Sequence, residues 1–355
     1  MNSLPPTPAD SEDAGTPIRP IEVEYALKRT KSKSAPGADG ISYHVLKAVS
    51  SILSPWLADL FEWCRSRGVV LNEWKTGITT LLYKKGDETA PQNWRPITLL
   101  SCLSKLYSSV IDKRIHRYDR ALADMQKNRL FSMSQRGFRP GLEGTHFNTE
   151  ILKNAQELAP QLYAVYIDFS NAFGSMDHAV FFEVLKLLRI PRYIQRYLKA
   201  SYSGASFRVK LGERSFTAPI VLTRGCPQGK PCSPTAFALF ADVLLRHLEL
   251  ISTNHGLPYS PTSLASPTYA DDVGLLAPTK DQMKEKLVAL LQFSHHTNIM
   301  VNIDKCTAQG YTRSGNVVTQ HTAEFKLDGK QIPTSLEPFK YLGQSEVMSV
   351  PSASR

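Results

Sequence analysis

The chain lacks the marks of several protein classes. Its five cysteines, Cys64, Cys102, Cys226, Cys232 and Cys306, form no C-x-x-C pair and no zinc-finger spacing. No zinc site is therefore expected, and the thiols fit a reducing, intracellular setting, nucleus or cytoplasm alike. No apolar run reaches the roughly 18 residues of a membrane span, and no positively charged apolar leader follows Met1. That excludes a visible membrane anchor or secretory signal. There is no internal repeat. Acidic residues are in deficit, with 32 Asp and Glu against 42 Lys and Arg, for a net charge of +10. Such a balance points to a polyanionic partner, with plain solubility as the alternative. What is plentiful is apolar mass: 42% of 355 residues are hydrophobic, enough for one large or two ordinary domains.

Residues 1–20 carry five prolines and few large apolar groups, which predicts a disordered leader with folding from Ile21 onward. From Ile21 to Ala159 helical patterns alternate with basic loops, notably Lys28 to Lys33 and Lys84-Lys85-Gly86-Asp87. The second half has an α/β rhythm. Asp177 is placed to cap a helix over Ala179 to Leu188 that Pro191 ends. Phe207, Val209 and Leu211 alternate with Arg208 and Lys210, as in a half-buried strand with a basic outer face. Ser233-Pro234 opens a helix running to about Ile251.

Two carboxylates stand out. Asp271 and Asp272, between Tyr269-Ala270 and the apolar Val273 to Ala277, look like the tip of a β-hairpin. Most Asp-Asp pairs are solvated turn residues. Upstream, however, the apolar run Tyr163 to Ile167 ends in Asp168, as a buried strand with an active end would. Three such carboxylates suit magnesium, which takes hard oxygen ligands and usually only one or two protein carboxylates per ion. Two ions about 3.5–4 Å apart stabilise the attacking and leaving oxygens of an in-line phosphoryl displacement. A second signal is Arg224 to Pro234, whose two glycines and three prolines shape a loop leading into a helix N-terminus. Backbone amides there can approach a nucleotide, although an ordinary Pro/Gly loop reads the same way.

Eight blocks in one order resemble the reverse transcriptases of non-LTR (LINE-like) retrotransposons. They are Lys33 to Ile41, Asn93 to Ser101, Ser134 to Gly141 with Thr145, Tyr166 to Phe173, Gly225 to Pro234, Tyr269 to Asp272, Asn302 to Cys306 and Tyr341-Leu342-Gly343. The resemblance implies an α/β (α+β) right-hand polymerase fold, with fingers over 21–159 and a palm over 160–343. A tail follows over 344–355, with the thumb largely absent because the chain stops twelve residues after Gly343. A truncated reading frame is the corresponding expectation. The implied reaction is RNA-templated transfer of deoxynucleotides from dNTPs to a DNA primer, with two Mg2+ ions (Mn2+ as substitute) on Asp168, Asp271 and Asp272.

By the same resemblance, Phe173 would meet the sugar of the incoming nucleotide, where its ring would collide with a 2′-hydroxyl; a packed core aromatic is the alternative. Gln228 would touch that nucleotide, and Arg95 and Lys84 its triphosphate. Lys84 reads equally as a solvated loop residue. Lys305 would protonate the leaving pyrophosphate, or else pair with a nearby carboxylate. Tyr341, Leu342 and Gly343 would form the primer grip. Departures from the family pattern are Gly174, where many relatives carry an acidic group, and Lys230 and Cys232 in the loop. Two rival readings are an RNA-dependent RNA polymerase and a non-catalytic nucleic-acid-binding remnant. Oligomeric state is not legible.

Overall fold

The computed structural model describes residues 15–125, 129–141, 151, 155–156, 159–212, 215–255, 266–315, 317–336, 340–341 and 344–345. Its helices are α1 (Pro20–Lys28), α2 (Tyr43–Ala48), α3 (Ser50–Arg67), α4 (Cys102–Asp124), α5 (Ala172–Ser175), α6 (His178–Leu187), α7 (Arg192–Tyr202), α8 (Ser233–His255) and α9 (Lys280–Thr297). The strands are β1 (Thr76–Tyr83), β2 (Trp94–Leu99), β3 (Gln161–Ile167), β4 (Ser206–Val209), β5 (Ile220–Val221), β6 (Thr268–Tyr269), β7 (Asp272–Ala277), β8 (Thr307–Ser314) and β9 (Val317–Thr322). Two short hairpin pairings add four strands more: β10 (Lys326–Leu327) with β11 (Lys330–Gln331), and β12 (Lys340–Tyr341) with β13 (Gln344–Ser345). The fold is mixed helix and sheet, as expected.

The chain divides into two compact units, neither contiguous in sequence: Met1–Leu130 with His178–Ala236, and Phe131–Asp177 with Phe237–Arg355. In the first, a four-stranded sheet has the order β2-β1-β4-β5. β4 joins β1 in parallel, Thr76 facing Ser206, which ties the 178–236 segment to the first 130 residues. Packed aromatics fill its core: Phe61 stacks on Tyr107 at 4.8 Å, and Tyr107 meets Tyr197 edge-on at 4.9 Å. The buried Arg114 guanidinium forks onto Glu22, at 3.0 and 2.8 Å, and donates to the Thr16 and Pro17 carbonyls. A buried charge is tolerated only when paired this completely.

Three expectations need correction here. Packing begins before Ile21, because Ile18 is buried and α1 starts at Pro20; residues 1–14 lie outside the described residues. The 21–159 region also contains a β-hairpin, β1 with β2, where only helices and loops are expected. Pro96 lies inside β2, which is tolerable because β2 is an edge strand. Finally, β4 stops at Val209, and Leu211 is exposed rather than inward-facing.

The second unit is built on an antiparallel sheet in the order β6-β7-β3-β8-β9. β3 is central, and its apolar run serves both faces. Tyr163, Val165 and Ile167 join one core with Leu244, Leu248, Leu287 and Leu290; Leu162, Ala164 and Tyr166 join another with Leu276 and Tyr311. A strand buried on both sides loses the usual polar alternation. Its end is thereby fixed from two directions, and Asp168 is the next residue. Among the described residues no helix is long and apolar enough to cross a membrane.

One core group carries a stability cost. Lys286 on α9 is buried, donates to the Leu276 carbonyl at 2.7 Å, and is pushed by burial from 10.5 down to about 7. Between about 7 and 10.5 the unfolded chain holds a proton there that the folded chain does not, so this group makes stability rise with pH. Lys286→Met is therefore expected to raise the thermal midpoint most below pH 7, with the gain shrinking as pH approaches 10.5. Midpoints measured across that range check it; a pH-independent difference contradicts it.

Candidate active site

The β3–β7 pairing ends at Ile167↔Val273, so Asp168 follows directly on β3 next to the strand that Asp272 opens, close enough for their charges to repel. Asp272 opens β7, and the paired Tyr269 and Asp272 enclose a two-residue turn, Ala270-Asp271. Ala270 has φ +60, the left-handed setting of the first central residue of a type II′ hairpin turn, where glycine is usual. All three aspartates thus gather at one end of the sheet. Asp168 is also held through its backbone: its amide donates to Cys306 Sγ at 3.4 Å, and its carbonyl accepts from Asn302 N–H at 2.8 Å. Burial pushes the Cys306 thiol up to about 11, and it donates in turn to the Asn302 carbonyl at 3.3 Å. The Asn302 to Cys306 block is therefore a brace for Asp168, with Ile303–Lys305 forming a short 3-10 turn.

The electrostatics fit a cation site. Asp271 is raised above its ordinary value, first by desolvation and then by repulsion from Asp168. Asp272 is pushed up to about 6 by desolvation, by Asp271 and by Asp168. Its tip remains exposed, so solvent moderates the cost. Among the described residues no three or more His, Cys, Asp or Glu side chains form a group that could hold a metal ion by themselves. A hard cation that keeps waters and substrate phosphates in its shell does not need one, and acidic oxygens repelling one another suit it.

Phe173, on α5, is half-buried. Its ring stacks on Phe237 at 4.4 Å and meets Phe138 edge-on at 6.3 Å. Phe138 in turn lies 6.0 Å from the Tyr269 ring. Neither Phe138 nor Phe237 is marked by the sequence as a site residue, since each reads as ordinary apolar filling. The space a side chain at Gly174 would need is occupied by the Asn171 amide. Lys305 is exposed and makes no ion pair among the described residues; Asp304 instead pairs with Lys330 at 2.7 Å. Tyr341 lies in β12, paired with Gln344, while Leu342 and Gly343 fall outside the described residues, as does Thr145.

The other expected nucleotide contacts belong to the first unit. Leu82 faces Arg95 and Lys84 N–H bonds the Asn93 carbonyl, which puts the exposed Lys84 and Arg95 on one face of the β1–β2 hairpin, diagonally adjacent. The Gly225 to Pro234 loop rests on the same hairpin: a Cβ at Gly229, where φ is +83, would lie 2.6 Å from the Thr98 carbonyl. A Cβ at Gly37 would lie 2.5 Å from Ser101 N. Three of the sequence blocks thus converge on Thr98 to Ser101. Gln228 is exposed at the loop's tip. The loop's floor is polar and largely buried: the half-buried His178 donates Nε2–H to the Gly225 carbonyl at 2.8 Å, Ser233 Oγ to Pro227 O at 2.7 Å, and Lys230 Nζ to Ser201 Oγ. Burial pushes Lys230 down to about 8. Its unusual place in the motif thus corresponds to an inward, supporting position.

Gly229→Ala is expected to cost about 1–2 kcal/mol from the left-handed backbone alone. Gly212→Ala, whose Cβ would meet nothing nearer than 3.9 Å, should stay within about 0.5 kcal/mol. Denaturant unfolding of both variants checks the pair; equal stabilities contradict the close packing at Gly229.

The site is thus a carboxylate trio at a strand end and a hairpin tip of an α+β chain. The sequence profile described as "Reverse transcriptase (RNA-dependent DNA polymerase)" matches residues 82–345, well over half of the chain. The chain belongs to the reverse transcriptase family. It is 28% identical over 334 residues to the "Retrovirus-related Pol polyprotein from type-1 retrotransposable element R2" of Popillia japonica, covering 92% of this chain and 44% of that protein. It is also 28% identical over 341 residues to the "Probable RNA-directed DNA polymerase from transposon BS" of Drosophila melanogaster, covering 92% and 36%. To the "RNA-directed DNA polymerase from mobile element jockey" of the same fly it is 24% identical over 323 residues, covering 85% and 34%. The chain thus spans less than half the length of these relatives. Their element names agree with the non-LTR resemblance drawn from the motif order.

Proposed function

We propose that this chain is an RNA-directed DNA polymerase that transfers deoxynucleotidyl groups from dNTPs to a DNA primer 3′-hydroxyl on an RNA template, in retrotransposition. The observation that carries the reading is the gathering of Asp168, Asp271 and Asp272 at one end of the second unit's sheet, with the latter two raised toward their neutral forms. Asp168 and Asp271 would hold two Mg2+ ions, for which Mn2+ would substitute, with Asp272 completing or supporting the set. Bound there, the ions supply Lewis-acid stabilisation of the charge that develops on phosphate oxygens.

The chain's own residues do the rest. Arg95 and Lys84, on one hairpin face, bind the triphosphate, the first by a planar fork and the second as a point charge. Gln228 orients the nucleotide, Phe173 excludes the ribose 2′-hydroxyl, and Lys305 delivers a proton to pyrophosphate. Tyr341, Leu342 and Gly343 grip the primer. The proposed domains are fingers over 21–159 and a palm over 160–343; the two compact units cut across that boundary, with 131–159 in the second unit and 178–236 in the first. The ring at Phe173 favours this over RNA synthesis from ribonucleotides, which needs room for the 2′-hydroxyl.

The net charge of +10 implies a strong salt dependence of RNA binding. With six or more phosphate contacts, affinity should fall on the order of a thousandfold between 50 and 200 mM salt. Fluorescence anisotropy with a labelled RNA–DNA duplex measures it, and a flat dependence contradicts the nucleic-acid reading. The direct test is primer extension on an RNA template.

A further inference from the structure

Ala270 occupies a left-handed backbone setting at the tip that carries Asp271, although it has a Cβ. Such a setting persists in a residue other than glycine when its surroundings impose it. The imposing group is Gln135, whose side chain is wholly buried. Its Oε1 accepts the Ala270 N–H at 2.9 Å, and its Nε2 donates to the Ala270 carbonyl at 3.3 Å. Oε1 also accepts the Gly137 N–H at 2.9 Å, so two amides define which end of the side chain is the oxygen. Gly137 itself has no side chain to spare: a Cβ there would strike the Ala270 nitrogen.

The bracket is tied to the sheet and to a polar floor. Thr268 N–H donates to the Ser134 carbonyl at 3.0 Å, and Arg136 N–H donates to the Thr268 carbonyl at 2.9 Å, making residues 134–136 an extra edge beside β6. Below, Arg139 Nη1 donates to the Ser132 and Gln135 carbonyls at 3.0 and 3.1 Å. Glu249 accepts from the Ser134 hydroxyl at 3.1 Å. The assembly grips the backbone of Ala270, between Tyr269 and Asp271.

We infer that Gln135 is a positioning residue: its primary amide reads both backbone groups of Ala270 and so sets the height and direction of the Asp271-Asp272 tip. Its effect on turnover rests on the polymerase reading; its effect on the hairpin does not. A leucine at 135 loses both bonds. A glutamate keeps the shape and the acceptor but cannot donate to the Ala270 carbonyl when ionised.

The test compares wild type, Gln135→Leu and Gln135→Glu by hydrogen exchange and by primer extension. Exchange of the amides in 268–273 should speed up by about tenfold or more in Gln135→Leu and by less in Gln135→Glu, while α9 amides keep their protection. Extension by Gln135→Leu should lose roughly a hundredfold in kcat with the dGTP KM nearly unchanged, as for a displaced catalytic group. Equal exchange of 268–273 in all three proteins overturns the clamp, whatever the activity. Faster exchange with unchanged kcat overturns the positioning role. A wild type that does not extend a primer counts against the polymerase reading, and the exchange result then decides the clamp alone.

Discussion

Asp168→Ala and Asp271→Ala are each expected to lower nucleotide incorporation by roughly a thousandfold or more, because on the proposed reading each removes a hard oxygen from the set that would hold the cations at the reacting phosphate. Neither should unfold the protein. Asp271 is one of the charges that push Asp272 up to about 6. Its removal relieves repulsion in the metal-free protein, so the thermal midpoint without divalent ions should hold or rise above pH 6. Asp168 differs, since its backbone contacts to Cys306 and Asn302 survive truncation of the side chain. Incorporation assays and melting curves on the same preparations separate a lost ligand from a lost fold. Wild-type incorporation by either variant would remove that residue from the site.

The second large effect is expected at Phe173. The ring lies flat on Phe237 at 4.4 Å with Phe138 against its edge, so it has little freedom to swing away from a ribose. A clash costing about 3 kcal/mol gives roughly a hundredfold preference for the deoxy sugar. Phe173→Ala and Phe173→Val should remove most of that preference while preserving dGTP turnover, because neither change touches an aspartate. The measured quantity is the ratio of kcat/KM for dGTP and GTP on one primer and RNA template. An unchanged ratio would assign Phe173 to the core; a wild type that prefers GTP would identify an RNA polymerase.

The centre of the site was legible because its elements follow local rules. β3 is a continuous apolar run since both its faces are buried, and the carboxylate just past it stands out. The Asp-Asp hairpin shows itself through the apolar stretch that follows, all of which enters the core. The β1–β2 hairpin was hidden because Leu81, Leu82, Tyr83 and Ile97 are all substantially exposed and Pro96 sits within the strand, so neither burial alternation nor composition marks it. Long-range wiring left no local trace either. The parallel pairing of Thr76 with Ser206 draws residues 178–236 into the first unit, and no periodicity in either segment announces it. Gln135 is the same case at the scale of one side chain: its importance lies in two bonds to a backbone 135 positions away.

The most direct measurement is extension of a DNA primer annealed to an RNA template, with dNTPs and Mg2+, by the wild-type chain beside Asp271→Ala. The account predicts deoxynucleotides added in template order by the wild type and lost in the variant. Absence of incorporation by the wild type, or equal incorporation by both, would contradict it.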